Sequence, residues 1–276
     1  MLAHMPRGSI AVLVLTKALR RRHRALADVV RELFRAHGAI ERSLVGLRGL
    51  GGPAHLPHVL QRGRGDHQDV EDLVVAEHGG LRVRAAQRVV LGDGIPTITV
   101  DGETNPHFWL DPTLVERHYL PAIRDALVRL RPDATDDITT AADAYARRLQ
   151  TLDADNTTTL AAIPAEHRKL VTFHDAFPYF AQHYGFELVG VILENPGQEP
   201  SAAELATLVR EVKAAGVPAV FSEAQFDPKL ARTLADEAGI TKVVTTLYND
   251  TLGPAPADTY IGLMTWDVDE IVKALR

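Results

Sequence analysis

The sequence predicts an α/β protein in which one long helix follows a first part of different character and precedes a regular parallel-sheet region. Three observations carry this. From residue 165 onward, short β-branched and aromatic runs alternate with amphipathic helices, the pattern of right-handed βαβ units and a parallel sheet with helices on both faces. Before that, Ile138, Ala142, Tyr145, Leu149, Leu152, Asn156, Leu160 and Ile163 step by three or four residues without interruption, the signature of a single long helix. Charge also divides the chain: residues 1–90 carry 15 Lys+Arg against 8 Asp+Glu, and the remainder 15 against 28. Such a split asks for separate readings of the two parts.

The 276 residues leave room for one large domain or two medium ones. There is no cysteine, which excludes disulfides, thiolate zinc sites and cysteine nucleophiles. No apolar run approaches the ~20 residues of a membrane helix.

In the first part, Ser9 to Leu15 is a short apolar run followed by Arg20-Arg21-Arg22-His23-Arg24. A secretory signal has its positive charge before the apolar run and small residues after it; the order here is the reverse, and no export signal is read. Val29, Val30, Leu33 and Phe34 predict an amphipathic helix ending near Gly38. Beyond it, Gly49 to Arg64 is rich in Gly, Pro, His and Arg, and Phe34 is the sole aromatic of residues 1–90. The arginines come with no recognition module or aromatic platform, so no nucleic-acid partner is expected. The histidines of this part are scattered without ligand spacing.

Val89-Val90-Leu91 ends a strand that runs into the loop Gly92 to Pro96. Asp111 is placed to cap a helix with Pro112 in its first turn, and Pro121 should bend that helix. The helix over 138–163 would be about 40 Å long at ~1.5 Å per residue, a length that favours a connector between two lobes over an ordinary core helix. Then come the strand Leu170–Phe173, a short helix closed by Gly185, and the strand Leu188–Leu193. Ser201 and Glu204 form a capping box for a helix to Gly216. The strand Ala219–Phe221 precedes a helix from Asp227-Pro228 to Gly239. The strand Val243–Leu247 and the terminal helix Tyr260–Leu275 complete the chain.

Ligands of such sheets bind at the carboxyl ends of the strands. His174 follows Phe173 directly, Glu223 follows Phe221 after Ser222, and Asp258 stands in the loop before the last helix. With His107, held between Pro106 and Phe108-Trp109, they can converge. Two neutral imidazoles and a carboxylate suit zinc or manganese better than magnesium or calcium, which prefer oxygen ligands. Each residue also has a plain structural role open to it. His174 can be a hydrogen-bonded loop histidine, Asp175 or Asp258 a helix cap, and Glu223 an orienting partner of a histidine rather than a ligand.

Four segments stand in order: Asn105-Pro106-His107-Phe108-Trp109-Leu110-Asp111-Pro112, Phe173-His174-Asp175-Ala176-Phe177-Pro178-Tyr179-Phe180, Phe221-Ser222-Glu223-Ala224-Gln225-Phe226 and Asp258-Thr259-Tyr260-Ile261-Gly262-Leu263-Met264. Together they resemble the zinc/manganese-binding solute-binding proteins of metal-uptake ABC transporters, the group with a rigid helical backbone between two lobes. The similarity runs from about residue 89 to the C-terminus. It implies a two-lobe architecture: an atypical basic region 1–88 in place of a complete first lobe, the end of that lobe at 89–136 carrying His107, a connector helix at 137–164, and an α/β lobe at 165–276. It implies His107, His174 and Asp258 as metal ligands, with Glu223 beside the site. It also implies a further first-lobe histidine, for which Pro57-His58-Val59-Leu60 is the nearest match. The function that follows is capture of Zn²⁺ or Mn²⁺ at the periplasmic or extracellular face of the membrane and delivery to an ABC permease, by a monomer and without catalysis. The alternatives are a metal-dependent hydrolase using Glu223 as base, or a family member without tight binding.

Overall fold

The computed structural model describes residues 10–14, 72–79, 82–100, 103–193 and 200–276. The helix expected over Val29–Gly38 and the candidate ligand His58 lie outside them. In the first part, β1 (Ile10–Val14), β2 (Asp72–Gly79) and β3 (Arg82–Val90) form an antiparallel sheet in that order, with Ile10 opposite Glu77 and Asp72 opposite Val90. The apolar run after Ser9 is thus a sheet strand. A turn through Gly94, whose φ of 75° suits a residue without Cβ, leads to the short hairpin β4 (Thr99–Val100) and β5 (Glu103–Thr104).

The His107 segment follows as a 3₁₀ turn, Phe108–Leu110. Asp111 then caps the next helix as its position predicted: Oδ1 accepts from the Thr113 N–H at 2.8 Å, with Pro112 in the first turn. The helix passes from Pro112–Leu114 through a π-helical turn, Val115–Tyr119, into α1 (Leu120–Leu130). In the π turn the Leu120 N–H bonds to the Val115 carbonyl, just ahead of Pro121. The irregularity expected of the proline is an inserted residue in the helix rather than a break.

The long helix α2 spans Thr135–Leu160. Its buried residues are Ala141, Ala142, Tyr145, Leu149, Leu152, Asn156 and Leu160, and it packs along α1 and the terminal helix. After it, β6 (Lys169–His174) and β7 (Glu187–Leu193) pair in parallel, as do β8 (Ala219–Glu223) and β9 (Lys242–Leu247). β6 lies beside β8, so the two parallel pairs stand side by side across the lobe as β7, β6, β8, β9, with the hydrogen-bonded ladders running within each pair. Between them run α3 (Pro178–Tyr184), α4 (Ala202–Ala215) and α5 (Lys229–Ala238), and α6 (Tyr260–Leu275) follows β9. The expected boundaries hold because their signals are local. Both halves of the Ser201/Glu204 capping box are made, and Gly185, Gly216 and Gly239 end their helices in the left-handed conformation.

Two cores cover the two faces. On one, Leu149 and Leu152 of α2, Phe180 of α3 and Ile271 of α6 pack with Phe221 and with Phe108, Trp109 and Leu110. On the other, Leu208, Val209 and Val212 of α4 and Leu234 of α5 cover Val171, Phe173 and Val220. Fully burying an aliphatic or aromatic side chain stabilises by about 1.5–3 kcal/mol; the central strands β6 and β8, buried along nearly their whole length, anchor the lobe in this way. The chain leaves β6 toward one edge and β8 toward the other. The crevice at their carboxyl ends is therefore the topological switch point of the lobe, where ligands of such sheets bind.

Candidate metal centre

His174 ends β6 and Glu223 ends β8, side by side at that switch point. Asp250 comes from the loop leaving β9, and His107 arrives from above on the segment between β5 and α1. One ligand atom from each of His107, His174 and Asp250 lies within 4.8 Å of the others. His107 Nε2 is 3.6 Å from Asp250 Oδ1, His174 Nε2 is 3.7 Å from Asp250 Oδ2, and the two imidazole centroids are 5.3 Å apart. Donors at ~2.0–2.2 Å from a tetrahedral ion stand about 3.3–3.6 Å apart, so a small contraction would let this group hold one ion. His107, His174 and Asp250 are 6%, 7% and 9% exposed.

The surrounding residues aim the rings. His174 Nδ1 is 3.1 Å from Glu223 Oε1. A carboxylate accepts only, so Nδ1 carries the proton and Nε2 presents its lone pair to the centre. Glu223 Oε1 also accepts from Asn249 Nδ2 at 3.2 Å. Asn249 Oδ1 in turn accepts from the Asp250 N–H at 2.6 Å and from Gln225 Nε2 at 2.9 Å. The Trp109 indole N–H donates to the Asn249 carbonyl at 3.1 Å, tying the His107 segment to the Asp250 loop. On His107, Nδ1 faces Asn105 Oδ1 at 2.9 Å.

Burial pushes the His107 pKa below the usual histidine value, with the neighbouring His174 acting the same way and Asp250 opposing. A neutral imidazole is the form that ligates. Two anchors hold the frame. The Tyr260 hydroxyl donates to the Trp109 carbonyl at 2.7 Å, and burial, with Tyr145, Tyr184 and two aspartates nearby, raises that phenol well above its ordinary pKa, so it remains a donor. Asp267 Oδ1 accepts from the Tyr248 N–H at 2.9 Å, and burial raises this carboxyl well above the ordinary carboxylate range. A Cβ at Gly262 would collide with the Pro256 carbonyl, so only glycine lets the first turn of α6 seat against the loop before it.

Of the residues expected at the site, His107 and His174 come together and Glu223 stands behind His174. Asp258 does not join them. It is exposed at the turn before α6, where Thr259 is the N-cap and accepts from the Gly262 N–H. Asp250 is the carboxylate of the group in its place. It leaves a strand's carboxyl end, as His174 and Glu223 do, but three residues past Leu247 rather than immediately after, where position alone does not single it out.

The family of zinc-uptake complex component A periplasmic proteins, ZnuA, matches residues 37–274. The chain belongs to this family. The membership expected from the four motifs is borne out, and the matched span begins well upstream of residue 89. Among ZnuA relatives, the zinc-binding protein TroA of Treponema pallidum is 30% identical over 272 residues, 91% of this chain and 86% of that protein. The manganese-binding lipoprotein MntA of Halalkalibacterium halodurans is 31% identical over 235 residues, covering 79% and 77%. The solved structure of periplasmic TroA aligns at a TM-score of 0.62 with 32% identity, covering 68% of this chain and 71% of that one. A manganese-bound periplasmic metal-binding protein of Candidatus Liberibacter asiaticus aligns at 0.60 with 26% identity, covering 68% and 71%. The family is one of metal-binding transport components that work with ABC permeases, and no helix among the described residues is long and apolar enough to cross a membrane.

Proposed function

We propose that the chain binds Zn²⁺ or Mn²⁺ as its cargo between Nε2 of His107, Nε2 of His174 and the carboxylate of Asp250, and delivers it as a monomer to an ABC-type permease at the periplasmic or outer face of the membrane. The observation that carries this is a buried group of two imidazoles and a carboxylate at the switch point of a parallel sheet. Their donor set suits borderline divalent ions. Relatives named for zinc and for manganese support both metals. The ligands close from two directions, His107 from the segment before α1 and the other two from strand exits, so ion capture draws those segments together. Glu223 acts in this reading by orienting His174. A hydrolase would need it as a base, yet it is 1% exposed and its Oε1 is shared between His174 and Asn249.

The test is a competition titration of Zn²⁺ and Mn²⁺ against a calibrated chelator, for the parent, His107→Ala and His174→Ala. Binding free energies of ~10–16 kcal/mol spread over about four ligands assign roughly 3 kcal/mol to each, so either variant should bind about 100-fold more weakly. A parent that binds neither ion, or variants that bind as the parent does, would overturn the proposal.

A further inference from the structure

We infer that Asn105 is a positioning residue of this centre: its single amide selects Nε2 of His107 as the coordinating nitrogen and clasps the His107 segment to the loop that follows His174. The inference rests on the reading of both histidines as ligands. Asn105 is itself only 5% exposed, and all four of its hydrogen-bonding groups are engaged. Its backbone N–H donates to the Ile98 carbonyl at 2.9 Å, and its carbonyl accepts from the Tyr179 hydroxyl at 3.1 Å. The backbone is therefore fixed before the side chain does anything.

The side chain then works in two directions. Oδ1 lies 3.0 Å from the backbone nitrogen of His107 and 2.9 Å from its Nδ1; Nδ2 lies 2.7 Å from the Asp175 carbonyl and 2.8 Å from Asp175 Oδ2. These partners decide the amide's orientation. The His107 backbone N–H can only donate, so it faces the oxygen. The Asp175 carbonyl and carboxylate can only accept, so they face the NH₂ group. With the oxygen fixed toward His107, the ring nitrogen beside it must carry the proton. Nε2 is left with its lone pair toward Asp250. His174 receives the same instruction from Glu223, so both rings present Nε2 although one is set by an amide and the other by a carboxylate. The donation to Asp175 does something Glu223 does not. It joins the residue next to His174 to the residue two before His107, so the two ligand segments are registered on each other before an ion arrives.

Replacing Asn105 separates the two roles. In Asn105→Asp the carboxylate still accepts from both His107 N–H groups, but its second oxygen meets the Asp175 carbonyl and carboxylate as a repelling acceptor in place of a donor. In Asn105→Ala both are lost. The experiment uses the full, ¹⁵N-labelled chain without metal, at a pH where the imidazoles are neutral. The tautomer of His107 is read from long-range ¹H–¹⁵N ring correlations, assigned by their loss in His107→Ala, and zinc affinity is read by chelator competition. The expected result is a pure Nδ1–H tautomer in the parent and in Asn105→Asp, and a mixture in Asn105→Ala. Affinity should fall about 10–100-fold in Asn105→Ala and should also fall in Asn105→Asp, where the clasp is broken while the tautomer is kept. An unmixed Nδ1–H tautomer in Asn105→Ala, or an affinity unchanged in both variants, would overturn the inference. Failure of the ligand reading looks different: His107→Ala would then bind zinc as the parent does, whatever the tautomer of the parent ring.

Discussion

Removing the carboxylate behind His174 tests how far the centre depends on residues that never touch the ion. Glu223 Oε1 accepts from His174 Nδ1 at 3.1 Å and from Asn249 Nδ2 at 3.2 Å, in a site where Glu223 is 1% exposed. Glu223→Ala removes the acceptor of both donors. Each buried group deprived of a partner costs about 1–3 kcal/mol, so with two such donors the metal-free protein should lose roughly 2–6 kcal/mol in urea unfolding. The ring of His174 also loses the group that fixes its tautomer, which is worth about 10–100-fold in metal affinity. Glu223→Gln is the informative companion. An amide oxygen can accept from both donors, so the geometry survives. The buried negative charge goes, and an NH₂ group stands in place of Glu223 Oε2, which has no hydrogen-bond partner among the described residues. The metal-free glutamine variant should lie closer to the parent in stability than the alanine variant does, while its zinc affinity falls modestly because the imidazole is less basic. Urea midpoints and chelator competition on the three proteins give both quantities. An alanine variant matching the parent in stability and affinity would show that Glu223 does not orient His174.

Two further outcomes follow from the same contacts. The His107 pKa is depressed in the folded protein relative to 6.5, chiefly by burial. The unfolded chain therefore takes up that proton first, and the stability linked to neutral His107 is complete above about pH 6.5 and lost as pH falls through the depressed folded value; unfolding of the parent should be more acid-sensitive than that of His107→Ala across this window. Zinc affinity should decline over the same range as protons compete for the rings, and an affinity independent of pH would contradict ligation by imidazole. Tyr260→Phe removes the 2.7 Å hydrogen bond to the Trp109 carbonyl. It should destabilise the metal-free protein by about 1–2 kcal/mol with a smaller effect on affinity, measured by urea unfolding and chelator competition; no change in midpoint would show that this bond does not hold the His107 segment.

Much of the second part was legible because its signals are local. Gly185, Gly216 and Gly239 stop their helices, Ser201 and Glu204 start one, and β-branched runs mark each strand. The site was legible where the rule was simplest, at His174 and Glu223 on the last residues of β6 and β8. Asp250 was missed because the β9 exit adds Tyr248 and Asn249 before it, and no periodicity shows which loop residue turns inward. Asp258 opens the fourth motif in the loop before the last helix. In the structure the motif's contribution is Tyr260, which reaches the Trp109 carbonyl, and Thr259, which caps α6. The π turn at Val115–Tyr119 was not readable either, since one inserted residue leaves the apolar stripe on both sides intact. In the first part, β1 pairs with β2 across a long separation in sequence, and nothing in the apolar run at Ser9–Leu15 identifies its partner.

In the proposed centre the ion's carboxylate comes from the β9 exit. Zinc affinity measured side by side for Asp250→Ala and Asp258→Ala tests it most directly. Loss of a ligand worth roughly 3 kcal/mol predicts about 100-fold weaker binding for Asp250→Ala, and binding close to the parent for Asp258→Ala. Parent-like affinity in Asp250→Ala, with the loss appearing in Asp258→Ala instead, would assign the carboxylate to the turn before α6.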